Sequence, residues 1–365
     1  MSFLSKILGQ NETPIQSNND FWNWFLKHEK AFFKTVKERG NIHQDFFDLL
    51  APKLNEVHEG IYFLTGMHDD QTVDLILTPD GAIRNIYAIE ELVSGAPVIE
   101  GWKITALKPA SIMDSNVGIN YGDFKFNIDN LKFYPTIHEG YPDEIDLTIV
   151  YDGFVEEEKG KVINGVYIFL DNYLGELNSL TLIDNMNVVG PNEISEELVP
   201  IEKLNDYLIW REKEFVEKYK GTRHNTENDS YANFEGKKQD GSIVLALINT
   251  TIIEWDKKAS HPWVFIVAIP FDDCGNGGLP DEKTYKLLDE IEEEIIYSLP
   301  DSEGYLNVGR ETANNKREIF FACKDFRKPT KIADELIKKF NGTFEISYEI
   351  YKDKYWRTFR GYESR

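Results

Sequence analysis

Two uninterrupted apolar runs, residues 243–248 and 263–269, constrain the last third of this chain more than any other feature. Each has the length of a buried strand and falls far short of the roughly 20 residues a membrane helix needs. The pattern around them reads as strands over 243–255 and 263–271, then a helix over 280–299 opened by Pro280. Tyr285, Leu288, Ile291, Ile295 and Leu299 form that helix's inner face, so Glu290, Glu292, Glu293 and Glu294 read as its solvent side. Strands over 305–312 and 318–323 follow, joined by Ala313-Asn314-Asn315. A helix over 329–340 is capped by Gly342, and a strand over 343–351 closes the run. Without its first strand the order is β-α-β-β-α-β. That is the ferredoxin-like order, an antiparallel sheet with two helices on one face.

The preceding residues give a second α+β domain. Apolar, mostly aromatic residues at helical spacing from Phe21 to Val36 predict a helix over 20–38, and a second is expected over 45–57. Strands are expected over 60–67 and 72–78 around the turn His68-Asp69-Asp70-Gln71, then a helix over 86–93 and a strand over 102–107. Residues 122–137 read as a hairpin turning at Asp129-Asn130. A strand over 145–151, a helix over 161–174, a strand over 180–188 and a helix over 201–219 complete the half. The expected division is a flexible lead-in over 1–19, an acidic domain of one or two lobes over 20–220, a polar linker over 221–241 and the ferredoxin-like domain over 242–365.

Charge separates the halves. Residues 1–220 hold 19 Lys and Arg against 37 Asp and Glu, while residues 221–365 hold 21 against 26. A net charge of −23 argues against nucleic acid as a partner, since a phosphate backbone requires a basic face. The acidic half reads as a solubilising surface or as the face for a basic protein partner. Two cysteines, Cys274 and Cys323, make no disulfide framework, and with no signal-peptide pattern at the N-terminus the expected location is the cytoplasm.

The chemistry-bearing candidates are few. His261 stands among Trp255, Asp256, Pro262 and Trp263, where a histidine near acids could do acid–base work. Asp272 and Asp273 open a loop with Cys274 and three glycines ahead of a helix, without the spacing of a phosphate loop. Lys324, Arg327, Lys328 and Lys331 form the one basic cluster, which reads as a solvated surface or as a candidate surface for an acidic partner or, weakly, RNA. The seven histidines show no zinc spacing, so neither a metal nor a cofactor is expected.

Four stretches carry a family resemblance: His261-Pro262-Trp263 with its strand, Gly304-Tyr305-Leu306-Asn307-Val308-Gly309-Arg310, Phe320-Phe321-Ala322-Cys323-Lys324-Asp325-Phe326-Arg327, and Tyr351-Lys352-Asp353-Lys354-Tyr355-Trp356. Over 225–362 the chain resembles a bacterial family known as domain of unknown function 695. Residues 1–220, with Thr78-Pro79-Asp80-Gly81, Glu91-Leu92-Val93 and Gly101-Trp102-Lys103, look like the half found ahead of it in Bacteroidetes-type proteins. The resemblance implies kinship with the regulator of ribonuclease E activity B, a ferredoxin-like, acidic, protein-binding regulator. It transfers no functional residues. Two functions are therefore expected in turn: a non-enzymatic binding or regulatory module, or a hydrolase or small-ligand enzyme with a site between the domains built on His261, Asp272 and Asp273.

Overall fold

Ser17 starts the first helix: its hydroxyl accepts a hydrogen bond from the Asp20 amide, satisfying a helix N–H that would otherwise have no partner. Helix α1 (Asn18–Lys37) then buries Phe21, Trp22, Phe25 and Phe32. Our computed structural model describes residues 14–194, 196–237, 243–273 and 275–363. Residues 1–13 of the expected lead-in lie outside the described residues. Ile15 is already buried, its amide donating to Glu56 at 2.7 Å. The chain divides into two compact units, 1–134 with 147–205, and 135–146 with 206–365.

In the first unit, a π-helical turn (His43–Phe47) leads into α2 (Asp48–Val57). Strand β1 (Tyr62–Met67) pairs antiparallel with β2 (Val73–Thr78). Helix α3 (Ile86–Ser94) crosses over to β3 (Trp102–Ala106), which runs parallel to β2. The expected hairpin over 122–137 does not form. Strand β4 (Ile119–Tyr121) pairs instead with β5 (Phe124–Phe126) around Gly122, whose φ of +59° suits the turn. Asn127 accepts backbone hydrogen bonds from Asp129 and Asn130. That turn delivers β6 (Leu131–Thr136) to another sheet, with β7 (Asp146–Tyr151). Helix α4 (Lys159–Leu174) stops at Gly175, φ +82°, and α5 (Glu176–Leu182) takes up the first three residues of the stretch expected as a strand. Short apolar runs are ambiguous between the two states. Strands β8 (Asn185–Val189) and β9 (Val199–Pro200) complete a four-stranded sheet ordered β8-β7-β6-β9.

Besides residues 135–146, the second unit runs from within α6 (Leu204–Tyr219) onward. The polar stretch expected as a linker contains β10 (Tyr231–Lys237), while residues 238–242 lie outside the described residues. An edge strand open to water on both faces lacks the apolar alternation that marks a half-buried one. Strand β11 (Ile243–Asn249) is shorter than expected, because Asn249 caps a helical turn over Thr250–Ile253. Then come β12 (Trp263–Pro270), α7 (Glu282–Ser298), β13 (Tyr305–Ala313), β14 (Lys316–Cys323), α8 (Arg327–Lys339) and β15 (Ser347–Lys352). Asn314 and Asn315 both adopt positive φ in the β13–β14 turn, as a two-residue hairpin requires. The sheet has six strands, ordered β10-β11-β13-β14-β12-β15, every neighbour antiparallel.

Side chains alternate between its faces. Val264, Leu306, Val308, Phe320 and Ala322 pack with Ile252, Ile253, Trp356 and Phe359 on one. A bulge between Asn307 and Gly309 moves Arg310 to the other face, opposite Ile319. Arg310 there donates to Glu292 at 2.8 Å, and buried Arg317 donates to Asp289 at 2.6 Å. Glu292 is therefore not on the solvent side of its helix: it is buried beneath two guanidinium groups, and desolvation raises its pKa.

Candidate functional site

The register brings the four resemblance-bearing stretches to one end of the sheet. Cys323, at the end of β14, lies opposite both Trp263 and Tyr305, and Trp263 lies opposite Lys352. Beyond β15 the chain folds back over this end. The Asp353 amide donates to the Pro262 carbonyl at 2.8 Å, and the Trp356 indole N–H to the His261 carbonyl at 2.9 Å. Trp356 holds this position with a left-handed backbone, φ +52°.

His261 is fully buried beside Trp255, its ring 5.5 Å from the indole. Ser260 Oγ donates its one hydrogen to the Lys257 carbonyl at 2.7 Å. Toward His261 Nδ1, 2.9 Å away, the hydroxyl must therefore accept, so Nδ1 carries the proton. Nε2 is left with a bare lone pair and no hydrogen-bond partner. Burial first, then the positive charge of Lys324, holds the imidazole pKa down to about 3.

Around it stand groups that no motif in the sequence marks. His224 donates from Nε2 to Asp229 at 2.9 Å, Asn249 donates to the same carboxylate at 2.7 Å, and the His224 ring lies 5.2 Å from Trp255. Both imidazoles thus pack on one indole. Lys324 donates to the Thr222 carbonyl, and burial lowers its pKa. The acid–base candidate His261 and the basic candidate Lys324 come together here. Nothing local in the sequence links residues 224, 229, 261 and 324.

The other candidates fall elsewhere or are engaged. Strand β12 separates His261 from Asp272 and Asp273 by eight residues, about 25 Å at the usual rise, so the three form no acid–base group. Asp272 lines a cavity of about 790 Å³ at the far end of the sheet with Phe271, Asp281, Thr284 and Phe344. Asp273 accepts from the Gly275 amide at 2.9 Å, and Cys274 lies outside the described residues. In the basic cluster, Arg327 pairs with Asp325 at 2.9 Å, Lys328 pairs with Glu303, and Lys331 is likewise engaged. The Cys323 thiol is buried, which pushes its pKa up and makes it unreactive. Among the described residues no group of His, Cys, Asp and Glu is arranged to hold a metal ion, and no helix is long and apolar enough to cross a membrane.

The first unit holds a second charged centre, at the carboxyl ends of the parallel strands β2 and β3. Glu176, fully buried, accepts from the Thr78 hydroxyl at 2.6 Å and from the Lys108 amide at 3.1 Å. The Lys108 ammonium stands 3.6 Å from Glu176, 3.8 Å from Asp171 and 3.9 Å from Asp80. Burial raises the pKa of Asp171. Asp80 and Leu107 hold positive φ beside it, a strained backbone for both and most costly for the bulkier leucine.

Residues 232–362 match the model of a family of unknown function (DUF695). Neither the curated proteins nor the solved structures contain a match to the chain.

Proposed function

We propose that the chain is a non-enzymatic protein-binding or regulatory module of the cytoplasm. In this reading the acidic N-terminal half takes a basic partner. The second unit is read as a ferredoxin-like domain akin to the regulator of ribonuclease E activity B. The strand order β13-β14-β12-β15 supports that fold: numbered from β12, it is the second, third, first and fourth strands of a β-α-β-β-α-β unit. Strands β10 and β11 extend it along β13.

The observation that carries the reading is the state of His261. An imidazole with a pKa of about 3 and its proton fixed on Nδ1 is a hydrogen-bond acceptor at neutral pH. It is too weak a base, and too rarely protonated, to shuttle protons. Nitrogen-15 NMR of the imidazoles tests this: His261 is expected to stay Nδ1-protonated and neutral down to about pH 4. Titration of this ring near neutrality would overturn the reading. The binding role is tested by capture on the full chain at low and high salt. A basic partner lost at high salt is expected, and the absence of any salt-sensitive partner counts against it.

One observation favours the second reading, a hydrolase or small-ligand enzyme. The bare Nε2 lies on the same indole as the His224–Asp229 pair. Its site would then be this end of the sheet. Ester turnover that disappears in His261→Gln would support an enzyme and overturn the binding reading.

A further inference from the structure

We infer that the open edge of the six-stranded sheet pairs with the same edge of a second copy of this chain, across a two-fold axis through Phe234. The direction of the backbone groups follows from one hydrogen bond. The Thr250 amide donates to the Ser230 carbonyl at 2.9 Å, and these two residues continue the β10–β11 register by one step. They are therefore a hydrogen-bonded pair of the antiparallel ladder. By its two-residue alternation Ala232, Phe234 and Gly236 also bond inward to β11. Tyr231, Asn233, Glu235 and Lys237 then aim both N–H and C=O outward, and among the described residues β10 has no strand beyond it.

A two-fold axis through Phe234 sets outward residues against outward residues. Tyr231 faces the second copy's Lys237, and Asn233 faces its Glu235, each pair exchanging two backbone hydrogen bonds. Phe234 faces Phe234 in the non-bonded position, where side chains approach most closely. Ala232 faces Gly236, so nothing bulky obstructs the phenyl rings. The register is also selected by charge. An axis through Glu235 would place two glutamates directly opposite, which is unfavourable, and an axis through Asn233 would carry Lys237 past the end of β10. The axis through Phe234 alone uses the full strand with no like charges opposed.

The strand is presented for such pairing. Every residue of β10 but Ala232 is exposed, including the rings of Tyr231 and Phe234, and no proline interrupts it. An unpaired row of backbone N–H and C=O groups is a template for one more strand. At the other edge β15 is mostly half-buried. Phe234 is held from behind by Tyr362, ring to ring at 5.5 Å, so the aromatic contact is pre-positioned.

Sedimentation of the full chain over a range of concentrations tests the inference. A reversible dimer is expected. Asn233→Pro removes an outward amide that β11 does not use, and proline is tolerated on an edge strand. It should raise the dimer Kd by about tenfold or more with the circular dichroism unchanged. In a Cys274→Ser background Phe234→Cys should form an inter-chain disulfide on mild oxidation, and Tyr231→Cys, which faces Lys237, should not. A chain that stays monomeric, a dimer indifferent to Asn233→Pro, or equal cross-linking at 231 and 234 would each overturn the inference. Should the proline variant fail to fold, the cross-linking pair decides alone.

Discussion

The tautomer of His261 is dictated by one serine hydrogen, and it makes acid stability a residue-scale question. In the unfolded chain the imidazole titrates near 6.5, whereas in the folded chain it titrates near 3. Between those values the unfolded chain holds the extra proton, so acid favours unfolding. The stability tied to this residue is fully present above about pH 6.5 and drains as pH falls toward 3. At about pH 5 the loss is about 2 kcal/mol. Urea unfolding at neutral pH and at pH 5 should show His261→Gln losing that much less stability on acidification than the parent. An equal acid response would mean that His261 is not buried neutral. Lys108 gives a prediction of opposite character. It is the cation between a sealed Glu176 and a mostly buried Asp171. Removing it leaves two carboxylates without a counter-charge, so Lys108→Met should destabilise the chain by about 3 kcal/mol at neutral pH. Adding Glu176→Gln should recover part of that loss in a double-mutant cycle, and strict additivity would show that the two do not interact.

At the scale of the element, the bulge in β13 decides which face of the sheet receives Arg310. Gly309 has φ +137°, and a Cβ there would stand 2.1 Å from the Leu247 carbonyl oxygen. Gly309→Ala should therefore cost about 3 kcal/mol in denaturant unfolding, through backbone displacement and loss of the Arg310–Glu292 pair. A cost below about 1 kcal/mol would mean that the strand re-registers without the bulge. Neither the bulge nor buried Glu292 is legible in the sequence, because both depend on how β13 meets β11 and β14. Elements with a strong local signal were legible: the helix rich in Phe and Trp after Ser17, the apolar stripe of α7, and the Asn314–Asn315 hairpin. Strand β10 was not, since nearly all of it is exposed and Glu235, Gly236 and Lys237 break any apolar alternation. Of the candidate site, His261 and Lys324 could be named from residue type alone. Their convergence with His224 and Asp229 could not, because the sheet register sets it.

At the scale of the molecule, a charge of −23 acts on every equilibrium at once, and its sign separates the two kinds of association argued above. Like charges repel more strongly in the folded state than in the expanded chain. At about 0.1 M salt the screening length is about 10 Å, shorter than most separations across the surface, so repulsion is relieved while close ion pairs persist. Raising salt from low to moderate at neutral pH should therefore raise Tm. The same screening acts on self-pairing. Two copies meeting at β10 bring two net-negative chains together, while the edge register itself opposes no like charges. Salt should tighten that dimer. A basic partner held by the acidic half responds in the reverse direction, because its attraction is what salt screens. Sedimentation and capture across one salt series thus give opposite slopes if both contacts exist. A dimer that dissociates on adding salt would show that opposite charges, not the open strand, hold the copies together.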